Sequence, residues 1–333
     1  MVKHIKKITA TVFTAVIFST FLCAQAFAQE LLVGGQAVGI RLSTAGVVVA
    51  GISEVDTADG KVSPAGEAGI KQGDCIVMAD GAEINQAADI VAAAERSGGA
   101  PVQLSLLRSG RELTVEVLPV RSSEGRWALG LWLRDGVGGI GTLTFFDPET
   151  GVYGALGHSI SDADTGEALP LGEGSITDAQ IVSVSRGVCG KPGELNGCAD
   201  FSQVLGSIEL NTGCGIYGHS FVSIGGRAIQ TGEISPGPAT ILSTVNGREV
   251  GEYEVEVNRI YKESDGVHAV LSVTDEELIR RTGGIVQGMS GSPVIQDGRL
   301  VGAVTHVFVS DPTRGYAVGI DDMLKAAGIF CET

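Results

Sequence analysis

The chain has 333 residues, 44% hydrophobic and 19% charged, which is enough for two domains with cores of their own and too apolar for long disorder. Its formal charge is −16, and the first 28 residues contribute three lysines and no acid, so the rest is more acidic still and nucleic acid is excluded as an expected partner. Forty-nine glycines and few aromatics predict short strands joined by tight turns.

The chain opens with Lys3, Lys6 and Lys7 ahead of an apolar run from Ile8 to Cys23, closed by Ala26-Phe27-Ala28. Small residues at Ala26 and Ala28 suit signal peptidase, so residues 1–28 are expected to be an export signal, cleaved after Ala28 or retained as an anchor. The apolar run falls short of the roughly 20 residues a transmembrane helix wants. In an exported chain Cys189 and Cys198 could close a small disulfide ring. They lack the paired Cys-X-X-Cys or histidine cluster of a zinc site, and neither metal nor cofactor is expected.

Residues 29–120 read as one small α+β domain. Val47-Val48-Val49 is a strand, Ser63-Pro64-Ala65 starts a short helix that turns into the strand Cys75–Met78, and Asp80-Gly81 marks a turn. Asn85 can cap a helix running to about Arg96 and stopped by Gly98-Gly99; two strands then pair around Ser109-Gly110. The pattern Ser-Pro-Ala, Ala-Gly-Ile-Lys, Gly-Asp across residues 63–74 resembles the PDZ domains of bacterial exported proteases. That resemblance implies binding of an extended peptide or C-terminus at a sheet edge, with Gly39, Ile40, Arg41 and Leu42 matching the carboxylate-binding loop. Arg41 stands where a glycine is usual.

Residues 121–136 read as a linker, and residues 137–333 as a second domain in which short apolar strands alternate with Gly, Asp and Asn turns, the pattern of an all-β sandwich or barrel. Val152-Tyr153-Gly154-Ala155-Leu156 leads to Gly157-His158-Ser159 and a polar loop with Asp162 and Asp164. The last helix is expected near residues 321–327, stopped by Gly328.

Within this domain stands Gly288-Met289-Ser290-Gly291-Ser292-Pro293, followed by an apolar run, Asp297-Gly298, and another apolar run. Asp-Gly between apolar runs signals a two-residue hairpin. A serine just ahead of a hairpin is wrong for the strand-to-helix elbow of α/β-hydrolases and matches the serine loop of a trypsin-like β-barrel peptidase. There Gly288 and Ser290 would point their N–H groups at a developing oxyanion. The fold class expected is therefore mainly β: a small PDZ domain, then a trypsin-like barrel.

A serine nucleophile needs a base. Of five histidines, His4 falls in the expected export signal, His268 lies within a strand pattern and His306 follows the serine hairpin, which leaves His158 and His219 in similar Gly-His-Ser settings, with His158 favoured by its ordered approach. The segments 155–166, 282–293 and 302–309 together look like the stage IV sporulation protein B family of serine peptidases. The resemblance implies limited proteolysis of a membrane-bound regulator between the two membranes of a developing spore, releasing an intramembrane protease that activates a sigma factor. It maps the nucleophile onto Ser290, the base onto His158 and the acid onto Asp275. Thr274-Asp275-Glu276-Glu277 is equally a capping box with Thr274 as cap, and Asp200 is a rival acid. Thr305, His306 and Val307, on the strand after the serine hairpin, are expected to face the substrate. The other class left open is a catalytically idle protein that holds a partner through its PDZ domain.

Overall fold

The computed structural model describes residues 30–162, 166–264 and 266–329, so the expected export signal, Asp164 and Cys331 lie outside the described residues. Strands β1 (Glu30–Val33) and β2 (Ala37–Ile52) open the fold. There follow β3 (Val55–Thr57), β4 (Gly60–Val62), helix α1 (Pro64–Glu67), β5 (Cys75–Ala79), β6 (Ala82–Glu83), helix α2 (Ala87–Ser97), β7 (Val102–Arg108) and β8 (Arg111–Val117). Next come β9 (Val120–Arg121), β10 (Trp127–Ala128), β11 (Leu131–Phe146), β12 (Val152–Ala155), β13 (Leu171–Ser185), β14 (Glu194–Ser207), β15 (Leu210–Thr212), β16 (Gly215–His219) and β17 (Arg227–Gln230). The chain finishes with β18 (Gly237–Asn246), β19 (Glu249–Glu263), β20 (Gly266–Val273), helix α3 (Glu276–Thr282), β21 (Pro293–Gln296), β22 (Arg299–Phe308), β23 (Asp311–Gly319) and helix α4 (Ile320–Ala326).

Local sequence accounts for many of these elements. Asp80-Gly81, Ser109-Gly110 and Asp297-Gly298 all have positive φ at both residues, between 48° and 79°, as a type I′ hairpin turn requires. In β19, Tyr253, Val255 and Val257 are buried while Glu252, Glu254 and Glu256 are exposed, the period of two that puts one face in a core. Helix α2 buries Ile90, Ala93 and Ala94 at helical spacing and ends at Gly98 in the left-handed region. Its N-cap is Gln86 rather than Asn85, because the Asp89 carboxylate accepts the Gln86 N–H at 3.0 Å.

The mainly β class holds. Strands β18, β19, β20, β23, β22 and β21 close a barrel, sealed where Thr240 and Ile241 of β18 meet Ile295 and Val294 of β21. Its interior holds Ile241, Val255, Leu271, Val294 and Val304, each contributing about 1.5–3 kcal/mol by leaving water, and the smaller Ala317. The other large sheet runs β15-β16-β12-β11-β2-β5-β7-β8 and is shared between the PDZ region and the first half of the peptidase. A separate core, including Val47, Ile76, Ile90, Leu104 and Val117, fills the PDZ region.

Strand β2 is the spine of that sheet, and it corrects two expectations. One edge pairs with β11 from Ala37↔Thr142 to Ile52↔Leu131; the other pairs with β13 and then with β5. Gly39, Ile40, Arg41 and Leu42 therefore form no loop: each has a strand partner on both sides, leaving no free run of N–H groups for a carboxylate. Arg41 lies over the Phe201 ring, 5.2 Å from its centroid. Residues 121–136 are likewise no free linker, since β9 and β10 pair with each other and β11 begins at Leu131. β1 joins β11 and β17 on the peptidase side, so the PDZ region does not own the chain's first strand.

Candidate active site

The serine loop leaves helix α3 at Gly283 and crosses to β11 before entering the barrel as β21. Three hydrogen bonds clamp it there. Thr142 gives its N–H to the Ser290 carbonyl at 2.9 Å and its hydroxyl to the Gly288 carbonyl at 2.8 Å, and the Thr144 hydroxyl bonds the Gly291 carbonyl at 2.8 Å. Both threonines are buried. Gly291 has φ +94°, and a Cβ on it would run into the Thr142 carbonyl, so the sharp turn beside the serine admits only glycine. The Gly288 and Ser290 N–H groups donate to no backbone or side-chain acceptor among the described residues, which leaves both available to a developing oxyanion.

His158 is delivered by β12 through two consecutive left-handed residues, Leu156 and Gly157, both at φ 69°. A leucine there is strained, and it is held by its N–H to the Thr142 carbonyl at 3.3 Å, so one threonine backbone touches both the histidine and the serine segments. Beyond His158, the Asn211 side chain bonds Ile160 N at 2.8 Å, Ile160 O at 2.9 Å and Leu169 O at 3.0 Å, pinning the following loop. The His158 Nδ1 lies 2.7 Å from the Ser159 carbonyl oxygen. A carbonyl only accepts, so Nδ1 carries the proton and Nε2 keeps the lone pair.

His158, Ser290, Gly288, Thr305, His306 and Val307 line one cavity of about 560 Å³ between the sheet and the barrel. The three residues expected to face substrate are thus brought to the serine. The Ser290 hydroxyl donates to the Thr305 carbonyl at 2.6 Å and not to His158, while the His306 ring lies tilted by 34° against His158 with centroids 4.3 Å apart. Thr305 itself is buried and offers its carbonyl to Ser290 rather than its hydroxyl to a carboxylate. Burial pushes the His158 pKa down to about 4; the His306 ring adds to the effect and the Ser159 bond opposes it.

The expected acid is not brought to the base. Asp275 is the N-cap of helix α3, in place of Thr274, and accepts the Leu278 N–H at 2.8 Å and the Glu254 N–H at 3.5 Å. A cap carboxylate at a helix start is favoured by the helix dipole, which explains Asp275 without catalysis. Asp200 is exposed on β14, where it accepts from Ser202 and Gln203. His219 faces outward and pairs with Glu209 at 2.9 Å, and His268 stacks on Tyr261 within the barrel wall. Cys189 and Cys198 are free and exposed. Among the described residues no group of His, Cys, Asp and Glu could hold a metal.

Sequence reading missed Thr142, Thr144, Leu156 and Asn211. Threonines in an apolar strand carry no motif, because their partners lie about 150 residues away and appear only when β11 meets the serine loop.

A PDZ domain model matches residues 37–118, and a model described as SpoIVB peptidase S55 matches residues 125–324. Among solved structures, the active form of the Rv3671c protease from M. tuberculosis is 13% identical, covering 59% of this chain and 77% of that one at a TM-score of 0.34. A serine-to-alanine mutant of Rv3671c from M. tuberculosis H37Rv, in an inactive form, is 12% identical, covering 58% and 84% at a TM-score of 0.32. With a family model spanning the serine loop, the histidine turn and the whole barrel, the chain belongs to the SpoIVB peptidase S55 family of serine peptidases.

Proposed function

We propose that this PDZ-containing serine peptidase uses Ser290 as nucleophile and His158 as general base in limited proteolysis of a protein substrate. The observation that carries the reading is the single cavity that holds both side chains beside two unspent N–H groups, on Gly288 and Ser290. The Ser290 hydroxyl rotates from the Thr305 carbonyl toward His158 Nε2, which takes its proton as Oγ attacks the scissile carbonyl. The oxyanion is held by the two N–H groups, the proton passes to the leaving amine, and water repeats the sequence to free the acyl enzyme. The Ser159 carbonyl does the orienting that a carboxylate does in a triad, so Asp275 and Asp200 are assigned no catalytic role.

The family name supports a part in sporulation. With it we propose a membrane-associated regulator as substrate, the space between mother-cell and forespore membranes as location, and self-cleavage as a further activity. Residues 1–28 fit export to that space. The contact between Ser290 and Thr305 is a resting state that substrate must open; what favours an enzyme over an idle binding protein is the placing of Ser290, His158 and Gly288 on one cavity.

A serine-reactive fluorophosphonate tests the reading on purified exported protein. Wild type and His219→Ala become labelled, and Ser290→Ala does not. Folded wild type that stays unlabelled in the presence of substrate overturns it.

A further inference from the structure

Strand β22 loses a neighbour where it enters the cavity that holds Ser290 and His158. β21 accompanies it as far as Ala303, and the serine loop follows through Val304, whose N–H donates to the Ser292 carbonyl at 2.9 Å and whose carbonyl accepts from the Gly291 N–H at 2.7 Å. Beyond Val304 that edge pairs with no strand among the described residues, while on the other edge Val307 stands opposite Gly315 of β23. An extended chain laid along residues 305–307 would bring a peptide carbonyl to the Ser290 hydroxyl and to the Gly288 and Ser290 N–H groups. A slot runs inward there between β22 and the segment 285–288, with Val286 and Val307 on its sides. Its inner end is Ile285, which is 1% exposed. The Ile285 Cδ1 reaches so far toward β23 that a Cβ on Gly315 would stand 2.5 Å from it. Gly315 has no side chain, so Ile285 decides how deep the slot runs.

What the slot can hold follows from the lining of the cavity. In a chain that is 19% charged, the described residues lining it include no aspartate, glutamate, lysine or arginine. Its two ionisable side chains are histidines, and both are neutral at pH 7: burial holds His158 to about 4, and desolvation lowers His306 below the ordinary 6.5. A lysine or glutamate side chain entering here would shed its water and meet no opposite charge. An aliphatic one exchanges water for contact with Val286, Val307 and Ile285. An aromatic ring meets Ile285 before it is fully inserted.

We propose that this slot receives the side chain of the residue whose carbonyl Ser290 attacks, that it selects an aliphatic residue of valine or leucine size, and that Ile285 sets the upper limit. This rests on Ser290 being the nucleophile. Folded proteins bury most of their valine and leucine, so such a preference confines cutting to extended, accessible segments and accounts for proteolysis that is limited.

Acetyl-Ala-Ala-Xaa diphenyl phosphonates test the proposal on the full exported chain. Ser290 Oγ bonds to phosphorus as phenol leaves, so the labelling rate reads the fit of Xaa directly. Wild type should react with the valine and leucine analogues at least roughly 30-fold faster than with the lysine and glutamate analogues, and about tenfold faster than with phenylalanine. Ile285→Ala should raise the phenylalanine-to-valine ratio at least about tenfold, and Ile285→Val, which keeps the core nearly filled, should raise the leucine-to-valine ratio about threefold. Ratios do not depend on how much active protein a variant yields, and Ile285→Val decides the limit if Ile285→Ala fails to fold. A lysine or glutamate analogue that reacts as fast as valine, or ratios unmoved in the folded Ile285 variants, overturns the proposal. So does wild type that takes a fluorophosphonate and none of the five phosphonates. Wild type inert to the fluorophosphonate as well overturns the peptidase reading, and this assignment with it.

Discussion

The Ser290 hydroxyl donates to the main-chain carbonyl of Thr305 at 2.6 Å, on the strand that forms the far wall of its own cavity. Nucleophile and substrate-facing strand are therefore joined before substrate arrives, and the bond must be given up for His158 to receive the proton. Losing a neutral hydrogen bond of this kind costs about 1 kcal/mol. Ser290→Ala also leaves the Thr305 carbonyl without that donor, so it should lower stability by about 1–3 kcal/mol while removing several orders of magnitude of kcat. Parallel thermal melts and peptide hydrolysis separate the two effects, and a grossly destabilised Ser290→Ala would contradict this account.

His158 sets the acid limb of activity. Its pKa of about 4 means that the imidazole is already neutral, and able to accept a proton, at pH 5. The rate should therefore fall off near pH 4 rather than near the 6.5 of a free histidine. Unfolded chain binds a proton on this residue below about 6.5 and folded chain only below about 4, so His158 makes stability rise with pH across that window. Its contribution is complete above the unfolded value and lost as pH falls toward 4. His158→Gln should flatten that slope, and His306→Ala should move the acid limb upward by removing the ring that helps depress the pKa. Melting midpoints and kcat/KM from pH 3.5 to 8 supply both readouts.

Thr142 positions the serine loop through a hydroxyl that the isosteric Thr142→Val deletes while its N–H bond to Ser290 stays. The Gly288 carbonyl then loses its partner, and a buried group left unpaired costs about 1–3 kcal/mol. Because Gly288 also carries one of the two oxyanion donors, kcat should fall about 10- to 100-fold with KM little changed. Thr144→Val breaks a bond to Gly291 instead and should cost similar stability with a smaller loss of kcat.

Asp275 separates capping from catalysis. As a helix cap, Asp275→Ala should lower stability by about 1 kcal/mol and leave kcat within a few-fold, and Asp275→Asn or Asp275→Ser should restore most of the loss. Asp200→Ala should change neither. A drop of several orders of magnitude in kcat for folded Asp275→Ala would return that residue to the active site.

Much of this protein was legible in its sequence because the signals are local. Asp297-Gly298 can satisfy two positive φ values in a row, the alternation in β19 can bury only one face, and Gly288 and Gly291 frame a serine at positive φ, with a Cβ on Gly291 colliding with the Thr142 carbonyl. The resemblance of residues 155–166 and 282–309 led to His158 and Ser290, and the structure brings both to one cavity. What the sequence left undecided depends on pairing between distant segments. Residues 39–42 match the carboxylate-binding loop of PDZ domains in sequence, and only the arrival of β11 and β13 on both edges makes them a spine. The sequence offered Asp275 as first-turn acid of a helix capped by Thr274 or as catalytic acid, and the Leu278 N–H bond to its carboxylate makes Asp275 itself the cap. The Thr142 clamp comes from β11, a single strand that joins the two halves of the chain. Hydrogen bonds between residues more than a hundred positions apart leave no periodicity in a sequence, so tertiary structure alone decides them.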